Sequence, residues 1–295
     1  MRIGAHVPVA DGLLTTVEYA VETGCETIQI FSKSPRQWKN PPRDPDEAAA
    51  FRVACAAREI APVFTHASYL INLGADDPDQ WFKSITVLGD ELVRAALLGA
   101  AGVVCHLGRR FAFDDEDACI ARVVETARRA FDLAGDDAPP LVLENSAGAG
   151  RQFGVTPDEL ALVLNAVRDA GVPAALCFDT CHGLAAGIDV TGPAGWDVLL
   201  DRLDELCGPP PVVLVHANDC KGGLGSRKDR HEWIGDGCVG ESGFAAIFAQ
   251  ARLAGAAAVV EMPGKMPVKD SENVSRLKRL RAASAPPGGP VPERA

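Results

Sequence analysis

The chain has 295 residues, 47% of them hydrophobic and 23% charged, with a formal net charge of −11 at pH 7. This length fits two average domains or one α/β barrel, and the negative net charge argues against a nonspecific nucleic-acid binder with a uniformly basic surface. No secretory signal is recognisable, and no stretch approaches the roughly 20 apolar residues that span a membrane. We therefore expect a cytoplasmic protein.

The nine cysteines are scattered along the chain, and no C-x-x-C pair occurs. A disulfide framework is not expected in a long chain without a secretion signal. We predict that the cysteines are small hydrophobic packing residues, with thiolate zinc ligation as a minor alternative.

Short apolar runs alternate with alanine-rich helical segments from one end of the chain to the other. Helical patterns cover, for example, residues 91–98 and 120–127, and Thr156-Pro-Asp-Glu159 has the cap, proline and acidic first turn of a helix start. The candidate strands are residues 3–7, 27–31, 62–66, 102–106, 141–144, 175–179, 212–216 and 258–261.

Eight strand–helix units with strands that are apolar throughout predict a (β/α)₈ TIM barrel, an α/β fold, as a single domain over residues 1–283. A doubly wound open sheet is the competing fold, but no G-x-G-x-x-G follows the first strand. The proline- and glycine-rich residues 284–295 predict a disordered tail.

Metal-ligand residue types end six consecutive candidate strands, the third to the eighth. In a barrel these carboxyl ends converge on the rim that carries the active site. One such histidine alone is usually structural, but burying several carboxylates together is costly unless cations neutralise them. The six residues are His66, His106, Glu144, Asp179, His216 and Glu261.

Two loop segments add further donors. His182 follows Asp179 by three residues, and Asp229 and His231 are two apart, which places both side chains on one side of an extended segment. Nine nitrogen and oxygen donors exceed the needs of one tetrahedral ion, so two or three ions are implied. Histidine with carboxylate suits zinc, although manganese or iron accepts similar ligands.

Several motifs resemble the endonuclease IV family of apurinic/apyrimidinic (AP) endonucleases. The resemblance runs in order from residue 3 to about residue 261, with three departures. His106-Leu-Gly108 stands where the family usually has His-Pro-Gly, and His216-Ala-Asn218 stands where it usually has His-Leu-Asn. Methionine follows Glu261 where threonine is common. The matching motifs are Gly4-Ala-His-Val7, Tyr69-Leu-Ile-Asn-Leu-Gly74, Glu144-Asn-Ser-Ala-Gly148, Asp179-Thr-Cys-His182, His216-Ala-Asn-Asp219 and Gly225-Ser-Arg-Lys-Asp-Arg-His231.

The resemblance implies a TIM barrel that holds three zinc ions and cuts double-stranded DNA on the 5′ side of abasic sites. It assigns His66 and His106 to the first ion, with Glu144 bridging to the second. Asp179, His216 and Glu261 complete the second site, and His182, Asp229 and His231 hold the third.

Glu261 and Glu144 are the catalytic carboxylates that the resemblance predicts. Our mechanistic hypothesis is that a zinc-bound hydroxide, oriented by Glu261, attacks the phosphorus and leaves 3′-hydroxyl and 5′-deoxyribose phosphate ends. We expect a monomer that acts in base excision repair and associates with the nucleoid when it works on DNA.

Basic residues follow several strand ends and could track the DNA backbone despite the acidic total. The resemblance further implies that Arg36, Tyr69 and Leu70 enter the duplex at the lesion. The predicted DNA-binding residues are Arg36, Tyr69, Leu70, Lys33, Arg109, Arg227 and Arg230, with Lys39, Arg110, Lys221 and Lys228 nearby.

Two other functions are considered. A metal-dependent barrel sugar isomerase or epimerase also uses strand-end carboxylates and histidines, but it typically binds two ions and employs a barrel lysine, and no predicted strand contains one. A protein that binds zinc or damaged DNA without cutting is less favoured, because all nine ligand positions are filled. His6, at the tip of the first strand, is not a family ligand, and we predict a structural or supporting role.

Overall fold

The computed structural model describes residues 1–39, 41–110, 115–209 and 211–284. Eight parallel strands close into a barrel in which each strand pairs with the next one along the chain and the last pairs with the first. The predicted barrel is therefore confirmed, with strand bounds within one residue of those expected. The strands are β1 (Arg2–His6), β2 (Thr27–Phe31), β3 (Val63–His66), β4 (Gly102–His106), β5 (Leu141–Glu144), β6 (Ala174–Asp179), β7 (Val212–His216) and β10 (Ala257–Val260).

Alternation along the strands decides what lies inside the barrel, because successive side chains point to opposite faces. A compact apolar cluster fills the interior: Phe64, Val104, Val142, Cys177, Leu214, Ala257 and Val259. Two residues beyond the last cluster member of each strand, the next inward side chain is a predicted donor, as in the step from Val142 to Glu144. The apolar cluster thus forms a floor, and the donors lie directly above it.

A capping side chain followed by proline starts three of the helices. Thr156 accepts a hydrogen bond from the Glu159 N–H (3.2 Å), as the sequence predicts, and Asp44 and Asp77 cap their helices in the same way. The helices are α1 (Leu13–Glu22), α2 (Pro45–Ala57), α3 (Pro78–Leu98), α4 (Glu116–Ala134), α5 (Pro157–Asp169), α6 (Thr180–Ala186), α7 (Pro193–Cys207), α8 (Gly240–Ala249) and α9 (Val268–Ser284), with a 3₁₀ turn at Ala251–Leu253.

The larger hydrophobic core lies between the outer face of the barrel and the surrounding helices. Phe178 and Trp196 make an edge-to-face contact there, with ring centroids 5.5 Å apart. Seven of the nine cysteines are buried and none forms a disulfide, consistent with the packing role predicted for them.

Two features lie outside the eight strand–helix units. A two-residue antiparallel ladder joins β8 (Asp219–Cys220) to β9 (His231–Glu232), which the sequence pattern did not predict. Ser284, where the predicted tail begins, is the last residue of α9, and residues 285–295 of that tail lie outside the described residues. None of the helices that the structure describes is both long and apolar enough to cross a membrane.

Candidate metal centre

The six strand-end residues converge at the carboxyl rim of the barrel. Five of them close β3 to β7, and Glu261 directly follows β10. The register pairs His106 with Glu144 and Asp179 with His216 across neighbouring strands. Barrel closure therefore assembles residues that lie up to 195 positions apart in the chain.

The Glu144 carboxylate lies at the centre of the cluster and is 1% exposed. Its Oε2 is 3.3 Å from His66 Nε2 and 3.5 Å from His106 Nε2. Its Oε1 is 3.1 Å from His216 Nδ1 and 3.4 Å from His182 Nδ1. One oxygen faces the histidines of β3 and β4, whereas the other faces those of α6 and β7, so the carboxylate has the orientation needed to bridge two cations.

Three sets of donor atoms, each within 4.8 Å of one another, match the three ligand sets that the resemblance implies. They are His66, His106 and Glu144; Glu144, Asp179 and His216; and His182, Asp229 and His231. Glu261 adjoins the second set, with its Oε2 3.5 Å from His216 Nδ1.

A fourth set combines Asp179 and His231 with Cys181 and so overlaps the others. The neighbouring Cys220 thiol and burial raise the pKa of Cys181, which disfavours the thiolate that a metal needs. Nitrogen and oxygen donors are therefore the better ligands in this region.

Local structure orients the loop donors. Asp179 caps α6 by accepting a hydrogen bond from the His182 N–H (2.8 Å), which fixes where the two residues lie relative to each other. The β8–β9 ladder pairs His231 with Cys220 and so brings His231 back to the rim. Asp229, half-exposed, lies 3.4 Å from His182 Nε2 and 3.2 Å from His231 Nε2.

Backbone carbonyls determine which ring nitrogen faces the cluster in three of the histidines. The Nδ1–H groups of His66, His182 and His231 donate to the carbonyls of Ala67 (2.8 Å), Asn145 (3.0 Å) and Glu261 (2.8 Å). Each Nε2 is then left as a lone-pair donor beside a carboxylate, the usual arrangement of metal-binding histidines.

The charges within the cluster also fit cations. Burial by itself would raise the pKa of Glu144, but the His106 and His216 imidazoles more than offset it and hold that pKa well below its usual range. Burial likewise opposes protonation of His231, yet Asp229 and Asp179 raise its pKa to about 9.

One ring nitrogen in the third donor set lacks a hydrogen-bond partner among the residues that the structure describes and so could bind a cation. His231 Nε2 is buried and has no hydrogen-bond partner in the described part of the chain, although Asp229 Oδ1 lies 3.2 Å away. Leaving buried carboxylates and lone pairs without a counter-charge costs several kcal/mol per group. This third donor set therefore fits a divalent cation.

The centre opens into a cleft of roughly 580 Å³. Tyr69, 56% exposed, and the half-buried Leu70 line it together with Arg109. The Tyr69 ring lies 5.5 Å from that of His66, so this loop borders the first donor set. Arg36, Lys39, Lys221, Arg227, Lys228 and Arg230 lie at least partly exposed on the surface.

Two predicted basic contacts are not free surface groups. The Lys33 side chain is 1% exposed, and its ammonium lies 3.4 Å from the Trp38 carbonyl and 3.5 Å from Asp90. The prediction that Lys33 contacts DNA does not fit this placement, because its ammonium is buried against the Trp38 carbonyl and Asp90 on α3. Arg110 is paired with Glu116 and Glu159.

Sequence reasoning missed the amides that hold the donors. Asn218 Nδ2 donates to Asp179 Oδ2 (2.6 Å), and its Oδ1 accepts from the Glu261 N–H (2.8 Å). Asn145 brackets the Asp179 backbone through its own amide. Both lie in the quoted motifs, and a buried polar residue beside a ligand was the signal available. Gln29, within an apolar strand, was also missed.

Comparison with known proteins identifies the family. The AP endonuclease 2 family model, described as a xylose isomerase-like TIM barrel, matches residues 17–281. "Probable endonuclease 4" of Methanoculleus marisnigri is 39% identical over 281 residues, which are 95% of this chain and 99% of that protein. Endonuclease 4 of Thermus thermophilus is 40% identical over 94% of this chain and 97% of its own.

Solved structures agree with this family and with the fold. The crystal structure of endonuclease IV from Thermus thermophilus superposes with a TM-score of 0.84 at 37% identity, covering 96% of this chain and 100% of that one. A 3-keto-D-glucoside 4-epimerase from E. coli, with a TM-score of 0.66 and 14% identity over 96% of this chain and 99% of that one, shares the barrel alone. The chain belongs to the endonuclease IV family of AP endonucleases.

Proposed function

We propose that this protein is a zinc-dependent AP endonuclease of base excision repair, acting as a monomer in the cytoplasm on nucleoid DNA. It hydrolyses the phosphodiester 5′ to an abasic site in duplex DNA and leaves 3′-hydroxyl and 5′-deoxyribose phosphate ends. Relatives named endonuclease 4 support the activity. The observation that carries the proposal is the Glu144 carboxylate, shared between two of three adjoining donor sets at the base of an open cleft.

Three divalent ions are assigned in this proposal. His66, His106 and Glu144 hold the first ion, and His182, Asp229 and His231 hold the third. Zinc suits these histidine and carboxylate donors, and manganese or iron is compatible with them. Bound there, such ions lower the pKa of a water molecule and stabilise negative charge on the attacking and leaving oxygens. The second ion is held by Glu144, Asp179, His216 and Glu261.

Glu261 is proposed to orient the attacking water. Its Oε1 accepts a hydrogen bond from Gln29 Nε2 (2.9 Å) and lies 2.8 Å from His6 Nδ1, so that Oε2 is turned toward His216 and the centre. A carboxylate held this way can accept a proton from water without rotating. Both oxygens of Glu144 face imidazoles, so neither is available to accept a proton from water. Glu144 therefore serves as the bridge between two sites.

The rim is proposed to hold DNA. The exposed Tyr69 and the adjacent Leu70 enter the duplex with Arg36, where a missing base lowers the cost of unstacking. Arg109, Arg227 and Arg230 contact backbone phosphates, and the bound cations add positive charge to a rim that is otherwise rich in carboxylates.

The proposal is tested with the purified protein and a duplex carrying one tetrahydrofuran abasic analogue. We expect one cut, 5′ to the analogue, whose 3′ end a DNA polymerase extends directly, together with about three zinc ions per chain by elemental analysis. The same duplex without the lesion is the control and should stay intact. Zinc binding without cleavage would favour the non-cutting alternative, and sugar epimerisation with one or two manganese or magnesium ions would favour an isomerase.

A further inference from the structure

Gln29 is a fully buried primary amide inside the barrel. It lies in the middle of β2, where Thr27, Gln29 and Phe31 alternate with the outward-facing Ile28 and Ile30. A buried amide without partners is costly, so its hydrogen bonds have to be found within the protein. They connect two predicted ligands from other strands.

The amide contacts His216, at the end of β7, and Glu261, after β10, and its Nε2 also lies 2.9 Å from His6 Nδ1. Gln29 Nε2 lies 2.9 Å from Glu261 Oε1, and Gln29 Oε1 lies 2.8 Å from His216 Nε2. A carboxylate only accepts hydrogen bonds, so the NH₂ group of Gln29 has to face Glu261. The amide oxygen then faces His216, and His216 has to carry its proton on Nε2.

This proton position determines how His216 can act. With the proton on Nε2, the Nδ1 lone pair is directed at the cluster, where Glu144 Oε1 lies 3.1 Å away and Glu261 Oε2 lies 3.5 Å away. His66, His182 and His231 obtain the opposite tautomer from backbone carbonyls. Gln29 therefore determines the tautomer of His216, as backbone carbonyls determine the tautomers of the other three histidines.

The same amide selects one oxygen of Glu261. His6 Nδ1 lies 2.8 Å from the same oxygen and 2.9 Å from Gln29 Nε2, so Oε1 is enclosed by these two side chains and Oε2 is left for the centre. His6 contacts Glu261, and its Nε2 has no hydrogen-bond partner among the described residues. Among the side chains that the structure describes, Gln29 is the one that ties Glu261 Oε1 to His216 Nε2.

We propose that Gln29 is a positioning residue, which sets the tautomer of His216 and the orientation of Glu261 for the second cation of the centre. This role rests on the metal centre of the proposed function. It differs from the ligand roles in that Gln29 never contacts the cation or the DNA.

The test compares Gln29→Met with the wild type in the full-length, zinc-loaded protein. Methionine has a similar length and fits an apolar interior, but it neither donates to Glu261 nor accepts from His216. Ile30→Val is the matched control, because it removes one buried methylene from the outward face of the same strand. Zinc retention is measured by competition with a chromophoric chelator, and the visible absorption spectrum is recorded after cobalt substitution.

We expect Gln29→Met to bind one of its zinc ions about 10–100-fold more weakly, and its cobalt spectrum to change, whereas Ile30→Val matches the wild type in both. If Gln29→Met does not fold, Gln29→Asn provides the same test, since its shorter amide cannot reach both partners.

Wild-type zinc affinity and an unchanged cobalt spectrum in a folded Gln29 variant would overturn this role alone. Lack of bound zinc in the wild type would overturn the centre and this role together. A wild type that binds zinc but leaves abasic DNA uncut would contradict the nuclease activity, while the zinc measurements still decide the role of Gln29.

Discussion

Replacing Glu144 by glutamine is the sharpest perturbation of the centre, because the two side chains have nearly the same shape. The carboxylate presents one oxygen to His66 and His106 and the other to His216 and His182, at 3.1–3.5 Å. In glutamine one of these oxygens becomes an NH₂ group. Whichever way the amide turns, it directs hydrogens at ligand nitrogens on one side and offers a neutral oxygen on the other.

The size of the effect follows from the ligand sets. Glu144 belongs to two of the three sets, so Glu144→Gln should lose two ions and keep the one held by His182, Asp229 and His231. Charge stabilisation by a catalytic metal is worth several kcal/mol, and about 4 kcal/mol corresponds to roughly a thousandfold in rate. We expect kcat on abasic duplex to fall by about a thousandfold or more.

The assay combines single-turnover cleavage of the abasic duplex with metal analysis of the same preparation. Glu232→Gln is the matched control, since it makes the same chemical change next to His231 at a carboxylate that faces Lys221. The control should keep its metal and its activity. A Glu144→Gln protein that retains all its zinc and cleaves within tenfold of the wild-type rate would refute the bridging role.

Three further predictions concern stability and DNA binding. Burial tends to raise the pKa of Glu26, but hydrogen bonds from Arg281 and the backbone hold it at about 2, so this pair stabilises the fold above about pH 4.5 and the contribution disappears as the pH falls toward 2. Glu26→Gln should therefore lower the free energy of unfolding by about 1–2 kcal/mol at pH 7, after allowance for solvent screening, and by less at pH 3; a difference that does not depend on pH in denaturant titrations would contradict this. In Gly183→Ala the new Cβ would lie 2.5 Å from the Phe178 ring, so thermal unfolding should show a loss of about 1–3 kcal/mol, and an unchanged midpoint would mean that the ring moves aside freely. Leu70→Ala should weaken binding to abasic duplex by about 1–2 kcal/mol in fluorescence anisotropy without affecting undamaged duplex; full affinity for the abasic duplex would count against the wedge.

Some of the predicted basic surface could not be judged from the sequence. Lys33 and Arg36 both follow β2 and look equivalent in the sequence, yet the first is buried beside Asp90 and the second is not buried. The direction of a loop side chain depends on which helix packs against that loop. The Lys33 ammonium contacts the Trp38 carbonyl and a carboxylate on α3, 57 residues away.

The barrel and the residue types of the donors could be predicted from the sequence by itself, because both depend on short local patterns. An apolar run that ends in a histidine, aspartate or glutamate is visible within a single short strand. When eight parallel strands close into a barrel, their carboxyl ends lie on the same rim, so these residues meet there. Helix starts were equally local, since Thr156 caps a helix by accepting from the Glu159 N–H close by in the chain.

Only the tertiary structure shows the orientation of each donor side chain. Gln29 lies between Ile28 and Ile30 in β2, and nothing near it in the chain indicates that it contacts His216, 187 residues later. Hydrogen bonds of this kind form between strands that are brought together only when the barrel closes. The residue types of the donors are therefore visible in the local sequence, whereas the orientation of each donor depends on partners that the completed fold supplies.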